Sequence, residues 1–278
     1  TAVAKSKKGG FRFFRPDDLA VEVIKGLMAT VPQLAPKRVD DLIVGNAVPE
    51  AEQGLQFGRI IAAKALGIEV AGITINRYCA SGLESIAMAT AKIRSGMADC
   101  IIAGGTESMS LVPTVGWKTV PSYAIAKDQP DYYLGMGLTA EAVAKEYKVS
   151  REDQDEFAYN SHRKAKLAIE NGYFKSGILP IDVEEVYVNE KGKRAVRNYI
   201  VDTDEGLRAD TTVEGLSKLK AAFAIGGSVT AGNSSQTSDG AAFVIVMSER
   251  MVVELGLKPI GRLVNCASAG VDPRIMGI

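Results

Sequence analysis

Apolar residues recur at helical spacing from Asp17 to Thr30 (DDLAVEVIKGLMAT), behind an acidic first turn, and predict an amphipathic helix. The run that follows, DDLIVGNAV at Asp40–Val48, predicts a buried strand. The same beat then repeats. FGRIIAAKALG reads as a helix closed by Gly67, AGITIN as a strand, SGLESIAMATAKIRSG as a helix closed by Gly96, and ADCIIAGG as another strand. Such alternation predicts an α/β fold with a mostly parallel sheet covered by helices.

From Thr106 to about Val229 the pattern changes to loops rich in Pro, Tyr and Gly, followed by a helix from Ser150 whose SRED opening has capping-box spacing. This stretch reads as an insertion. After it, SDGAAFVIVMS at Ser238–Ser248, a helix ending at Gly256, and PIGRLVNCASAG resume the strand and helix alternation. The predicted organisation is an α/β domain from residues 1–110 and 230–278, with an α+β loop domain at 111–229 inserted in it. The last residues, GVDPRIMGI, are rich in turn formers, and the first residue is not Met, so both ends read as cut.

Composition narrows the function classes. In 278 residues the apolar share is 46%, enough for an ordinary globular core, and 33 Lys plus Arg balance 33 Asp plus Glu. No global field therefore points to nucleic acid or to an anionic membrane. No apolar run reaches the length of a membrane span, and TAVAKSKKGGFRFFRP lacks the apolar centre of a signal peptide. The three cysteines, Cys79, Cys100 and Cys266, are widely spaced and odd in number. That suits a reducing compartment, and a cytoplasmic location is expected. The basic opening run of Lys5, Lys7, Lys8, Arg12 and Arg15 reads as a solvated terminal loop. The glycine pairs near strand ends lack the spacing of a dinucleotide or phosphate loop.

The chemistry concentrates at ITINRYCASGLESIAMATAKIRSG, where a β-branched run stops, a thiol appears and a small-residue helix starts. Ligands of a parallel sheet gather at the carboxyl ends of its strands, where Cys79 is expected. The mouth of a helix also offers unpaired amides and positive partial charge, which favour a thiolate. Gly82, Ala87, Ala89, Thr90 and Ala91 give the helix a slim face for close packing. A lone cysteine can equally be a small buried hydrophobe. The flanks and the placement favour a nucleophile here, whereas Cys100 and Cys266, each inside a strand pattern, read as core residues.

The stretch INRYCASGLESIAMATAKI resembles the acyl-enzyme signature of the thiolases. AGGTESMS at Ala103–Ser110, MGLTAEAVAKEY at Met136–Tyr147 and SVTAGNSSQTSDGAA at Ser228–Ala242 agree with that family in order and spacing. The resemblance implies a layered thiolase-like fold and an acyltransferase that makes or cleaves 3-ketoacyl-CoA, as in fatty acid metabolism. Its partners would be acyl-CoA and CoA, with no metal and no redox cofactor. By it Cys79 is the catalytic nucleophile, Arg208 stands beside the adenine end of CoA, and Ser235 bonds the pantetheine arm. Met136, Phe223 and Ala231 match apolar wall positions. Some members carry a His just before the Met-Gly pair where this chain has Gly135, so one polar contact to the pantetheine arm is expected to be lost.

The resemblance also implies a homo-oligomer, dimer or tetramer, with AGGTESMS near a subunit contact. Claisen chemistry further needs a base and a second thiol, which thiolases carry in Gly-His-Pro and late cysteine motifs. Neither motif occurs here, and the one histidine, His162, is not assigned to catalysis. The chain therefore reads as the N-terminal part of a thiolase with its loop domain, expected to show little turnover or the half-reaction alone. Two alternatives stay open: a ketosynthase-type condensing enzyme and a non-catalytic acyl-CoA-binding fragment.

Overall fold

The structure, a computed structural model, describes all 278 residues, Thr1 to Ile278. Its strands are β1 (Ala4–Lys5), β2 (Asp41–Gly45), β3 (Ala71–Ile75), β4 (Cys100–Ser108), β5 (Ile181–Val188), β6 (Arg194–Val201) and β7 (Ser238–Met247). The chain forms two compact units. The first holds Thr1–Trp117, Lys175–Glu205 and Thr237–Cys266; the second holds Lys118–Phe174, Gly206–Gln236 and Ala267–Ile278.

In the first unit five strands form one sheet in the order β1-β7-β4-β2-β3. Strand β2 pairs in parallel with β3 and β4, and β7 runs antiparallel to β4 and β1. Four strands thus point one way and β7 the other, so the sheet is mostly parallel, as the alternation predicts. Helices α1 (Pro16–Ala29), α2 (Phe57–Ala65) and α3 (Ser81–Arg94) cover it. Alternate side chains of a strand face opposite sides. Leu42, Val44, Cys100 and Ile102 accordingly join Leu19, Ile24, Phe57 and Ile61 in the larger core. Ile43, Ile101 and Ala103 pack with Ala89 of α3 in a smaller one. Strand β2 is buried along its whole length, which explains its unbroken apolar run.

Glycine sets the spacing at the centre. A Cβ on Gly104 would lie 2.1 Å from the carbonyl oxygen of Ala242, and one on Gly105 would lie 2.7 Å from that of Gly45. The closing glycines of the sequence reading, Gly67, Gly96 and Gly256, all take positive φ, at 115°, 75° and 62°.

Two expectations about the organisation change. The antiparallel hairpin β5–β6 belongs to the sheet unit, although the predicted insertion, 111–229, includes it. Its alternating pattern is the reason: Ile181, Val183 and Val201 are buried in the core of the sheet unit. The stretch PIGRLVNCASAG forms no strand, and Ile260, Val264 and Cys266 are exposed, so Cys266 is not a core residue. Cys100 is buried, as read.

Residues Ala103–Ser108 of the stretch AGGTESMS lie in β4, which is paired on both sides, with β2 and β7. The outer edge of the sheet on this side is β3.

The second unit contains helices α4 (Tyr123–Asp128), α5 (Met136–Tyr147), α6 (Arg151–Glu170) and α7 (Val213–Ser217). The Ser150 hydroxyl accepts the Asp153 N–H at 3.0 Å, while Asp153 accepts the Ser150 N–H at 3.2 Å, so the predicted capping box forms. The last helix, α8 (Glu249–Glu254), returns to the first unit.

The Gly104→Ala substitution should destabilise the chain by about 3 kcal/mol, because backbone rather than a mobile side chain meets the added methyl. Gly82→Ala, whose Cβ would meet nothing within 4 Å, should stay within about 1 kcal/mol of the parent. Urea midpoints at unchanged slope would check both.

Candidate functional site

Strand β3 ends at Ile75 and α3 starts at Ser81, so the thiol of Cys79 rides on a short turn between them. Two side chains pin that turn. The Asn76 carbonyl oxygen accepts the Tyr78 N–H at 2.8 Å, and the Asn76 amide donates to the carbonyl oxygen of Ala47 at 2.9 Å. The Ser81 hydroxyl accepts the Arg77 N–H at 2.8 Å and donates to the Tyr78 carbonyl at 2.6 Å. Between them Tyr78 is forced left-handed, with φ at 46°. A non-glycine residue there costs of order 1–3 kcal/mol, and such strain persists only where neighbouring bonds over-determine it.

The thiol is exposed. It immediately precedes Ala80, the N-cap of α3, which makes no side-chain cap. The amides of Gly82 and Leu83 in the first turn make no hydrogen bond within the chain. Donors of this kind favour negative charge beside them, whether a thiolate or the oxyanion of a thioester under attack.

Close packing fixes the helix behind the thiol. Its buried face is Ser81, Ser85 and Ala89. A Cβ on Gly45 would lie 2.6 Å from the Ser81 carbonyl carbon, and the Ser85 hydroxyl donates to the Gly104 carbonyl at 3.1 Å. The slim face is thus real but differently composed from the one read in the sequence. Of those residues Ala89 is buried, whereas Ala87, Thr90 and Ala91 line an open groove of about 360 Å³ with Leu263–Cys266.

The cysteines differ sharply in environment. Burial, reinforced by the charge of Asp40, pushes the Cys100 thiol up to about 12. Cys100 is therefore a neutral thiol at physiological pH.

The residues matched to a CoA grip lie in the second unit, and all five are exposed. Met136 opens α5, and a Cβ on its neighbour Gly137 would lie 2.2 Å from the Phe223 ring, so that ring packs against the start of α5. Ala231 lies close by in sequence and space, since Ala221 and Thr230 form a bridge and Ala222 bonds Val229. Arg208 lies on another segment, where its N–H donates to Nδ1 of the half-buried His162 at 3.3 Å. No hydrogen bond or ion pair links Arg208 to Met136, Phe223, Ala231 or Ser235.

The loop carrying Ala231 and Ser235 is held by carboxylates that sequence reading did not single out. Glu141 accepts the N–H groups of Ser228 and Val229 at 3.0 and 2.9 Å. Buried Asp155 accepts from Asn233 at 3.0 Å and pairs with Arg151 at 2.8 Å. Asp155 is the one buried residue of the long, charged α6, whereas Glu141 lies half-buried on a mixed helix and gave no such signal.

The thiolase N-terminal domain model matches residues 1–250. The chain is 48% identical to the 3-ketoacyl-CoA thiolase of Bacillus subtilis (strain 168), covering 100% of this chain and 71% of that protein. It is 39% identical to the peroxisomal 3-ketoacyl-CoA thiolase A of Candida tropicalis, covering 100% and 67%. The crystal structure of the Bacillus anthracis acetyl-CoA acetyltransferase superposes with a TM-score of 0.84 at 34% identity, covering 100% of this chain and 71% of that one.

Iodoacetamide should modify Cys79 and Cys266 in the folded protein and reach Cys100 only after denaturation. Peptide mass mapping before and after urea checks this, and early modification of Cys100 would contradict the burial argument.

Proposed function

Because the chain belongs to the thiolase family, matched over residues 1–250, we propose that it transfers acyl groups between CoA thioesters through a thioester on Cys79. The supporting observation is the exposed thiol on a left-handed turn, one residue before the uncapped mouth of α3. The Cys79 thiolate attacks the carbonyl carbon of an acyl-CoA, the carbonyl electrons move to oxygen, and their return expels CoA as its thiolate. Unpaired amides at the helix mouth are suited to the transient oxyanion. One thioester replaces another, so the step is close to balanced and reversible. The acyl group then leaves the Cys79 thiolate for the CoA thiolate, giving an acyl-CoA, or for the α-carbon of a second thioester from which a base has taken a proton, giving a 3-ketoacyl-CoA.

We assign CoA binding to Arg208, Ser235, Met136, Phe223 and Ala231. A guanidinium offers the adenine a flat face and the phosphates fixed donors, and Phe223 with Met136 offers apolar surface to the pantetheine arm. Proton abstraction is assigned to no residue, since the imidazole of His162 is engaged with Arg208. No metal or redox group enters this chemistry. No helix is long and apolar enough to cross a membrane. A reducing, cytoplasmic setting is supported by the odd, scattered cysteines.

Self-association through the β3 edge is part of the same reading. Strand β3 is the outermost strand on this side, with its Thr74 N–H capped by the Gln56 side chain, and the exposed Ile73, Tyr78 and Leu83 add apolar surface around it. Sedimentation at micromolar concentration should show a dimer or larger, reduced towards monomer by Ile73→Lys. A monomer in the parent chain would overturn this part.

Incubation with acetyl-CoA should add one acetyl group to the peptide containing Cys79, and Cys79→Ala should remove that label while leaving the unfolding midpoint within a few degrees. Acetyl groups found on Cys266 with Cys79 unlabelled would refute the assignment.

A further inference from the structure

Glu107, on β4, is met by neutral donors alone. Its Oε1 accepts from the Asn46 amide at 3.2 Å and the Gln53 amide at 2.7 Å, and its Oε2 accepts the Ala47 N–H at 2.7 Å. Both partners are themselves fixed. Gln53 is fully buried, donates also to the Val48 carbonyl and accepts the Ser108 N–H. Asn46 is buried, donates also to the Thr106 carbonyl, and sends its own N–H to Ile75, the last residue of β3. Burial raises the Glu107 carboxyl above its ordinary value, and these donors pull it back. A carboxylate so caged leaves Ala47 little freedom.

Ala47 is also the residue whose carbonyl takes the Asn76 amide, and Asn76 in turn holds the Tyr78 N–H one residue before the thiol. We propose that Glu107 and Asn76 are positioning residues for Cys79, acting in series through Ala47 to hold the left-handed turn that presents the thiol. The inference rests on the reading of Cys79 as nucleophile, and it supplies the contacts that hold a strained, exposed turn. Neither residue touches the reacting atoms.

Because acyl transfer demands an aligned thiolate and carbonyl, whereas alkylation by a small mobile reagent does not, the two reactions should separate. In a Cys266→Ser background, Asn76→Ala should slow acetyl transfer from acetyl-CoA by about 10–100-fold, the cost of a misplacement near 1 Å. Alkylation by iodoacetamide should change less than about threefold under the same principle. Glu107→Gln presents an amide to a cage of donors and should slow transfer by about tenfold. The double variant should be no slower than Asn76→Ala, since both act on one chain of contacts. Hydrogen exchange at the Tyr78 amide should rise in both single variants, with the unfolding midpoint little moved in Asn76→Ala.

Transfer unaffected by Asn76→Ala, or a Glu107→Gln effect that persists undiminished on top of it, would overturn the proposal. So would a parallel fall in transfer, alkylation and unfolding midpoint, which marks a merely structural role. Should Glu107→Gln fail to fold, the Asn76→Ala arm decides alone. If the parent is alkylated at Cys79 but accepts no acetyl group, the nucleophile reading fails, and the Tyr78 exchange rates still decide whether the relay holds the turn.

Discussion

The approach of α3 to the sheet is the constraint on which the rest of the first unit depends. Gly45, under the Ser81 backbone, and three small helix residues, Ser81, Ser85 and Ala89, remove the bulk that would hold the layers apart, while Gly104 and Gly105 admit the neighbouring backbones of β7 and β2 within the sheet. Larger side chains between the layers would lift the helix, and with it the mouth that sits beside Cys79. The smaller core beneath α3 is thin, with Ile43, Ile101 and Ala103 supplying its sheet side. Such a core gains less from area than from contact quality, because dispersion falls steeply with even a fraction of an ångström of separation. Stability on the other face comes from ordinary bulk: Phe11, Leu19, Ile24, Phe57 and Ile61. The two faces divide the labour, one anchoring the sheet and the other setting the position of a helix terminus.

The second unit solves a different problem. Its segment Gly206–Gln236 has little regular structure, so its backbone donors need partners that no strand supplies. Carboxylates on neighbouring helices fill that need. Glu141 takes two successive amides of the loop, and Asp155 fixes Asn233, whose carbonyl oxygen takes the Thr230 N–H at 2.7 Å. Arg151 neutralises Asp155 and donates to the Leu216 and Leu219 carbonyls, which ties a second stretch to the same helix. A loop so held can present Ala231 and Ser235 in the open without collapsing onto its own helices.

Much of this was legible in the residues themselves. The alternation of apolar runs gave four of the sheet strands and three covering helices, because period and length there agree with burial. The junction carrying Cys79 was legible for the same reason: a β-branched run meeting a small-residue helix leaves few places for the intervening thiol. The hairpin β5–β6 was missed although IDVEEVYV alternates plainly, since a change of rhythm was read as a change of domain. Cys266 was misread because a strand pattern states what a segment could pair with and not whether a partner is present. The polar ties were out of reach for another reason. Asn76 meets Ala47 across 29 positions, Glu107 meets Ala47 across 60, and Glu141 meets Ser228 across 87. Local pattern carries no record of such pairings, which exist only once the strands have taken their order.

That dependence runs in a useful direction for catalysis. A left-handed Tyr78 costs of order 1–3 kcal/mol, and each neutral hydrogen bond returns about 1 kcal/mol net, so neither Asn76 nor Ser81 alone secures the turn. Two side chains anchored at different points can. Ser81 is fixed by the packing of α3 against Gly45, and Asn76 by the Ala47 carbonyl just beyond β2. The turn is therefore right only when both the helix layer and the strand order are right, which links the geometry of the thiol to completion of the fold. Exposure of Cys79 does not imply looseness, because the main chain before it is bonded to Ser81 at the start of α3 and to Asn76, which is itself held at the Ala47 carbonyl. A nucleophile that must stay open to a bulky thioester, yet meet its carbonyl at one angle, is well served by mobility that ends at its own side chain.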